Sequence, residues 1–513
     1  MASKSINCHI DGDNKTMVEF KVLLVYPNLQ MVNLLPSNIA ILSACLKNAG
    51  INVELFDTTP YKTAEKSVDE IRVEHMQLRP FKLEDKGVTY KITDVFEDFK
   101  KTVDKYQPNL IGVSATDDTF DLGIALVEKV RKKQKAHVIV GGVYPTFAPE
   151  EAINNKNVDS ICIGEGEEAL LELCKKLQSN QDIKNIKNLW VKIDGKIYKN
   201  NLREPLDINK LPYDDFSIFE EKRLFRPMQG KIYRMIPICI DRGCPFSCTF
   251  CAAPCQRELY LGAGHKYFRV KTLQGVMDEL RFQIDKYNAN YIYFNSETFF
   301  AKREEYLDKF ARAYTKEIGL PFWCQTRVET ISEKRIKMLE QMNCDRISIG
   351  IEHGNEEFRK KILKKRFTNK QVIDAFQILR KSRIPVTVNN IIGFPDETRE
   401  LAFDTIRLNR KIYADSINAY FFVPYRGTPL RQYCIDKGYL DPKSKTDSLM
   451  RSSILNMPQF PPDQIKGLVR TFPLYVKMEE SYFDKIKIAE RLDQEGNAML
   501  ADLRDIFFNK YFS

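Results

Sequence analysis

The sequence lacks any run of about 18 consecutive apolar residues, the length that a transmembrane helix requires. Its polar N-terminus, MASKSINCHIDGDNKTM, also lacks the apolar core of a signal peptide. Glycine and proline number only 23 each in 513 residues, which excludes a fibrous or disordered composition. We therefore expect a cytoplasmic protein of about three domains, folded except for a disordered tail at residues 1–18.

A strong excess of charge of one sign is also missing. Lysine and arginine number 79 against 69 acidic residues, which gives a net charge of +10. This mild basicity is compatible with an anionic substrate or cofactor, but it is far from what nucleic-acid-binding proteins show. We do not expect a nucleic-acid partner.

Five short apolar runs alternate with amphipathic stretches in the first third of the chain. They are KVLLVY, NVELF, NLIGVS, HVIVGG and SICIG. This alternation predicts an α/β domain over residues 19–185 with an open, parallel, doubly wound, Rossmann-like sheet of about five strands. The polar segment 63–99, between the second and third strands, carries no pattern from which a helix or strand can be predicted.

A second α/β pattern follows a linker at residues 186–235, which holds a predicted hairpin around Asp194-Gly195. Helical patterns, such as that of residues 272–287, alternate with apolar runs. Six of these runs are strand candidates: 236–240, 290–295, 321–326, 345–351, 385–392 and 416–422. Six βα units predict a partial (β/α)6 TIM-like barrel over residues 236–430. Residues 431–513 are expected to form a helical C-terminal region.

Three of the twelve cysteines lie close together in the segment DRGCPFSCTFC, directly after the strand IPICI. Cys244, Cys248 and Cys251 would bind three irons of a 4Fe-4S cluster and leave the fourth iron open to a small molecule. A zinc site is the alternative, but it needs a fourth ligand, which Cys255 would have to supply.

This spacing, CxxxCxxC after the first strand of a partial barrel, resembles that of the radical S-adenosylmethionine (SAM) enzymes over about residues 230–430. The resemblance implies a 4Fe-4S cluster and SAM, whose reductive cleavage gives a 5′-deoxyadenosyl radical. Further segments are similar to the family's strand-end motifs: YFNSE, QTR, SIGIEHG, NIIGFPDET and VPYRGTPL. The SAM contacts implied by the resemblance are Phe250, Asn295, Glu297, Arg327, Glu352, Ile392 and Gly393.

Polar, glycine-containing loops follow the third, fourth and fifth strands of the first sheet, at residues 114–119, 141–146 and 164–167. Open α/β sheets bind ligands at the carboxyl ends of their strands, although every such fold also needs plain βα turns. Together with the cysteine motif, these loops resemble the cobalamin-binding domain of the radical SAM enzymes that carry one, a group that includes the class B radical SAM methyltransferases. The cobalamin contacts implied are Ser114, Thr116, Asp117, Gly141, Gly142, Tyr144, Gly164, Glu165 and Gly166.

Tyr144 stands where many members of that group carry histidine. None of the five histidines lies in a run that would supply an axial imidazole to cobalt. We therefore expect cobalamin to bind without a histidine ligand.

Two further side chains are candidates for catalytic residues. Cys324 and His353 lie near the implied SAM site, although a buried inert thiol and a structural histidine are the competing interpretations.

The resemblance implies an enzyme that most often methylates an unactivated carbon. A non-methylating cyclase, rearrangement or oxidation enzyme is the first alternative, and a non-catalytic iron–sulfur or cobalamin-responsive sensor is the second. The substrate would be a small molecule, a lipid or a peptide. An external protein such as a flavodoxin or ferredoxin would supply electrons.

Overall fold

A computed structural model describes residues 19–446, 448 and 450–511. The tail predicted at residues 1–18 lies outside the described residues. The strands are β1 Lys21–Tyr26, β2 Asn52–Asp57, β3 Leu110–Ser114, β4 His137–Gly141, β5 Ser160–Cys162, β6 Leu189–Ile193, β7 Lys196–Lys199, β8 Phe225–Met228, β9 Lys231–Ile238, β10 Asp241–Arg242, β11 Arg269–Val270, β12 Tyr291–Phe294, β13 Phe322–Thr326, β14 Cys344–Glu352, β15 Val386–Ile392 and β16 Ser416–Phe421.

The α-helices are α1 Ser37–Asn48, α2 Val68–Glu74, α3 Val95–Tyr106, α4 Phe120–Arg131, α5 Val143–Phe147, α6 Pro149–Asn154, α7 Glu167–Gln178, α8 Ala252–Gly262, α9 Leu273–Tyr287, α10 Glu304–Glu317, α11 Glu333–Gln341, α12 Glu356–Lys361, α13 Asn369–Arg380, α14 Arg399–Lys411, α15 Pro429–Asp436, α16 Pro462–Lys477, α17 Phe483–Ala489 and α18 Gln494–Lys510.

The first sheet has the strand order β2-β1-β3-β4-β5-β6-β7. Strands β1 to β5 pair in parallel, which confirms the doubly wound α/β fold that the alternating pattern predicts. The hairpin of β6 and β7 turns at Asp194 and Gly195, both at positive φ as a two-residue hairpin turn requires. It pairs antiparallel with β5 and so extends this sheet within the segment that the sequence analysis treats as a linker.

The second sheet has the order β16-β15-β14-β13-β12-β9-β8, and its strands are parallel except for β8. The six parallel strands form a curled half-barrel, which confirms the predicted partial barrel. Helix α9 matches the predicted helix, with Val276 and Leu280 buried against the sheet. The edges of the half-barrel are β8 and β16, so a lateral opening lies between them.

The polar segment after β2 lies across this opening. Its helix α2 begins with a capping box in which Ser67 and Glu70 each accept from the other's backbone N–H. The Gln77 Nε2 group donates to the Ala419 carbonyl in β16 at 3.0 Å. The 3-10 turn Leu83–Lys86 packs through Leu83 against Phe225 of β8. One segment thus contacts both edge strands of the half-barrel.

The C-terminal residues form the helices α16 to α18, as predicted. Helix α16 packs against β16 and α14, and its buried Arg470 donates to the Ala489 carbonyl in α17 at 2.9 Å. Among the described residues, no helix is long and apolar enough to cross a membrane.

Candidate functional site

The cysteine loop joins the short strand β10 to helix α8. Cys244 and Cys248 are buried, and Cys251 lies at the N-cap of α8. The Arg257 guanidinium, one helical turn into α8, donates to the carbonyls of Cys244 at 3.1 Å and Phe246 at 2.9 Å. These bonds fix the backbone between the first two cysteines.

The sulfur atoms lie in a protected environment. Burial raises the pKa of the Cys244 thiol, and burial together with the charge of Glu297 raises that of Cys251 to about 12. The Arg327 Nη1 group donates to the Cys248 sulfur at 3.0 Å, and the guanidinium lies 3.9 Å from the centre of the Phe246 ring. A cation and an N–H group therefore face this sulfur.

Three thiols in one loop match the number of protein ligands of a 4Fe-4S cluster that keeps one iron open. Within the described residues, no three histidine, cysteine or acidic side chains converge as ligands of one ion. A 4Fe-4S cluster does not need such convergence, since each thiolate binds a different iron. The Cys255 thiol donates to the Cys251 carbonyl at 3.4 Å within α8, so it is already occupied by a local hydrogen bond.

A cavity of about 550 Å³ separates the carboxyl ends of the first sheet from the cysteine loop. Its volume lies in the range of ligand and cofactor sites. Seven of the nine residues expected to contact cobalamin line it: Ser114, Thr116, Gly141, Gly142, Gly164, Glu165 and Gly166. From the second domain, the cysteine-loop residue Gly243 and the strand-end residues Asn295 and Glu297 line the same cavity.

Gly142 allows two loops of the first domain to approach closely. Its φ of +100° and ψ of −166° lie in a region that only glycine adopts readily. A Cβ atom at this position would lie 2.5 Å from the Ala115 carbonyl oxygen. The backbone therefore forms this part of the cavity wall without side chains, which suits a large planar ligand.

The other two residues expected to contact cobalamin have side chains directed elsewhere. Asp117 forms a buried ion pair with Arg426 of the barrel, at 3.1 Å. Tyr144 is buried, stacks on Phe120 at 4.2 Å between ring centres and donates to Glu151 at 3.2 Å. Neither side chain lines the cavity, and none of the described histidines does.

The loop 164–167 is bound directly to the two-stranded ribbon of β10 and β11, whose strand β10 leads into the cysteine loop. The Glu165 carboxylate accepts from Arg269 at 2.5 and 3.0 Å and from Arg242 at 3.1 Å. Arg242 also pairs with Glu167 at 2.6 Å. Burial acts to raise the pKa of Glu165, but the hydrogen bonds and charges of both arginines outweigh it and hold this pKa below its usual value.

On the barrel side, the Glu297 side chain lines the cavity and is otherwise surrounded by protein. Burial, together with the charge of Asp241, raises the pKa of Glu297. Asp241 forms an ion pair with the buried Lys302 and accepts from Ser296 at 2.6 Å, while its Oδ1 atom has no partner among the described residues. Asp241 and Arg242 are not among the residues predicted from the sequence, although both directly precede the cysteine loop.

The remaining residues expected to contact SAM lie at successive strand ends. Glu352 has a φ of +68°, unusual for a residue other than glycine, and its carboxylate accepts from Lys365 at 2.8 Å. Ile392 is fully buried, and Gly393 follows it at positive φ. The Phe250 ring, in the cysteine loop, meets the Phe394 ring edge to face.

Both candidate catalytic residues lie in the core between the half-barrel and its helices. Cys324 is fully buried on the helix-facing side of β13. The fully buried His353 shares a hydrogen bond with Glu397 at 3.2 Å, and its Nδ1 accepts from the Asn355 backbone at 3.1 Å. Neither side chain lines the cavity, and the hydrogen bonds of His353 are those of a structural histidine.

Two family models match the chain, that of the radical SAM superfamily over residues 238–408 and that of the B12 binding domain over residues 81–174. The chain is 27% identical to an uncharacterized methyltransferase of Pyrococcus horikoshii, over 73% of this chain and 80% of the relative. It is 22% identical to an anaerobic magnesium-protoporphyrin IX monomethyl ester cyclase of Rubrivivax gelatinosus, over 82% and 75% of the two chains.

The fold is similar to that of the radical SAM methyltransferase TsrM from Kitasatospora setae, a structure with cobalamin and a [4Fe-4S] cluster bound. The TM-score is 0.66 at 14% identity, and the match covers 95% of this chain and 100% of the other. The two family models fall within the two domains that line the cavity. The chain belongs to the radical SAM enzymes that carry a cobalamin-binding domain, and its cofactors are a 4Fe-4S cluster, SAM and cobalamin.

Proposed function

We propose that this enzyme methylates an unactivated carbon of its substrate. The observation that carries the proposal is the single cavity that both domains line. Gly141, Gly142 and Gly164 form its wall on one side, and Asn295 and Glu297 reach it from the barrel. Cobalamin held at the first wall would therefore lie next to SAM held at the second, as transfer of a methyl group to a substrate radical requires.

Each part of the chain has a defined task in this proposal. The thiolates of Cys244, Cys248 and Cys251 hold the cluster. The positively charged Arg327 guanidinium donates a hydrogen bond to the Cys248 sulfur. When bound, the cluster and SAM supply a radical that abstracts hydrogen, and cobalamin supplies the methyl group. An external flavodoxin or ferredoxin supplies the electrons.

The ion pairs of Glu165 with Arg242 and Arg269 hold the two walls in fixed relative positions, because they connect the loop 164–167 to the ribbon of β10 and β11, whose strand β10 leads into the cysteine loop. The buried pair of Asp117 and Arg426 joins the domains at a second point. The cavity therefore has walls fixed relative to each other, which favours a preorganised reaction site.

Non-methylating oxidative chemistry is the second candidate. The similarity to the Rubrivivax cyclase extends over 82% of the chain and supports it. In that case the same cavity would serve cyclisation, and no methyl group would reach the product.

The experiment that separates these candidates is anaerobic. The protein is reconstituted with iron, sulfide and hydroxocobalamin, desalted, and incubated with methyl-labelled SAM, strong reductant and a panel of candidate substrates. Label in a carbon-bound methyl group of the product, together with 5′-deoxyadenosine, supports methylation. Product formed with 5′-deoxyadenosine but without label contradicts methylation and supports the second candidate. If the desalted protein retains no cobalamin, the first domain does not bind this cofactor, and the methylation proposal fails.

A further inference from the structure

The inward face of the half-barrel carries side chains that are only partly buried, and we call the space in front of them the chamber. Along β13 the residues alternate between fully covered and partly accessible, with Trp323 and Gln325 on the accessible, inward side. Asn389 and Ile391 of β15 and Tyr420 of β16 are accessible in the same way. Since α2 and the following turn lie across the opening between β8 and β16, they cover this side of the chamber.

A cation without a partner lies at the edge of this chamber. Arg226, in β8, is on the same strand face as Met228, which packs with Tyr291 and Tyr293 of β12. The Arg226 guanidinium makes no hydrogen bond or ion pair with any residue that the structure describes, and its Nε atom is nonetheless inaccessible to solvent. A partly buried guanidinium without a hydrogen-bond or ion-pair partner lowers the stability of the fold unless a bound anion neutralises its charge.

The surrounding charges leave a positive excess. Burial lowers the pKa of Arg226, the charge of Asp69 raises it and the charge of Arg72 lowers it. The charges of Asp69 and Arg72 therefore both act on the Arg226 guanidinium. Arg72, in α2, pairs with Asp69 at 3.1 Å, and Arg223 pairs with Asp57 at 3.3 Å. Because the other two arginines have carboxylate partners, the charge of Arg226 is not compensated within the described residues.

Two further donors, Arg72 and Tyr293, lie close enough to Arg226 for their charges to act on it. The Arg72 Nε atom also lacks a partner. Burial raises the pKa of Tyr293, which keeps its hydroxyl protonated, and this hydroxyl makes no hydrogen bond to any described residue. The Tyr293 ring stacks on Trp323 at 4.3 Å, and the Trp323 indole N–H donates to Ser348 at 2.8 Å. Aromatic rings therefore flank the donors.

We propose that Arg226, with Arg72 and Tyr293, binds an anionic group of the substrate, a carboxylate or a phosphate, inside the barrel. The inference rests on the proposed function only in taking the bound molecule to be the substrate. Tyr293 precedes Asn295 by two residues, so along the strand it lies about 7 Å deeper than the wall of the cofactor cavity. A substrate anchored there presents carbon atoms a few bonds from its anionic group to the cofactors.

The test measures binding in the full-length reconstituted enzyme without reductant, by calorimetric titration with inorganic phosphate, benzoate and uncharged benzamide. We expect phosphate or benzoate to bind and benzamide not to bind. Arg226→Gln should weaken anion binding at least tenfold, Arg226→Lys should weaken it less, and Arg380→Gln, at an exposed position on α13, should leave it unchanged. The anion that binds more tightly identifies the group as a phosphate or a carboxylate.

The absence of saturable binding by either anion would overturn the inference, as would equal binding by Arg226→Gln and the unchanged enzyme. Melting temperature gives an independent readout, because removing an uncompensated charge should leave it unchanged or raise it in anion-free buffer. A clear fall would show a structural role for Arg226 and overturn the anion site. Failure of methyl transfer with anion binding intact would instead reject the proposed function alone.

Discussion

Glu165 of the cobalamin-binding domain accepts two hydrogen bonds from Arg269 of the barrel domain, at 2.5 and 3.0 Å. Arg269 is the cross-strand partner of Arg242 in the ribbon of β10 and β11, and Arg242 bonds to the same carboxylate. Only Gly243 separates this ribbon from Cys244. The cobalamin loop and the cluster loop are therefore mechanically joined through one carboxylate.

Glu165→Gln should destabilise the protein by on the order of 3 kcal/mol at neutral pH, because breaking a buried ion pair leaves its cations poorly compensated. Thermal melting of the variant against the unchanged protein measures this. Glu168→Gln is the matched control, since its carboxylate is 58% exposed and meets Arg203 at 3.4 Å. An exposed pair contributes little, so the control should melt normally.

The difference between Glu165→Gln and the unchanged protein should depend on pH in one direction. The folded-state pKa of Glu165 is lowered, so its stabilisation is present above the unfolded pKa of about 4.3 and is lost as pH falls through the folded value. The difference in melting temperature should thus be constant from about pH 7 to 5 and shrink in more acidic buffer. A difference that grows on acidification would contradict this assignment.

Replacement of Cys244, Cys248 or Cys251 by serine should each abolish cluster assembly and SAM cleavage. The measurements are iron and sulfide content, the visible spectrum and 5′-deoxyadenosine formation. Cys255→Ser is the control, because the Cys255 thiol is bonded to the Cys251 carbonyl within α8. If Cys255→Ser lost metal to the same extent as the other three, the four-ligand zinc alternative would regain support.

Arg327→Gln should make the reduction potential of the cluster more negative. A hydrogen bond to a charged acceptor is worth about 1.5–3 kcal/mol, and 1.4 kcal/mol corresponds to about 59 mV for one electron. Only the part that differs between the two redox states appears in the potential, so we expect a shift on the order of tens of millivolts. A redox titration followed by electron paramagnetic resonance checks this, and Arg327→Lys, which keeps the charge, should shift it less.

Short-range patterns made much of the fold and the cluster loop predictable. Cys244, Cys248 and Cys251 belong to one loop, and the predicted strands of the barrel depend on local apolar runs. The burial of Cys324 has a simple cause: side chains alternate across a strand, so the neighbours Trp323 and Gln325 face the chamber while Cys324 faces the helices.

Long-range contacts were not predictable. The partner of Asp117 is Arg426, more than 300 positions away, and nothing in the sequence near Asp117 indicates it. The segment around α2 has too little apolar periodicity to reveal that it spans the gap between β8 and β16. His353 follows Glu352, whose positive φ redirects the chain, and this turn carries the imidazole into the core.

Gly142→Ala should prevent cobalamin retention. An alanine Cβ would lie 2.5 Å from the Ala115 carbonyl oxygen, so one of the two loops that form the cavity wall must move. Backbone strain at such a φ adds about 1–3 kcal/mol. Gly50→Ala is the matched control, since Gly50 also has a positive φ but no atom lies within 4 Å of the added Cβ. Both variants should lose melting temperature, while only Gly142→Ala should lose the cobalamin absorbance after desalting. Loss of cobalamin from both variants would show that general destabilisation, and not the shape of this wall, controls binding.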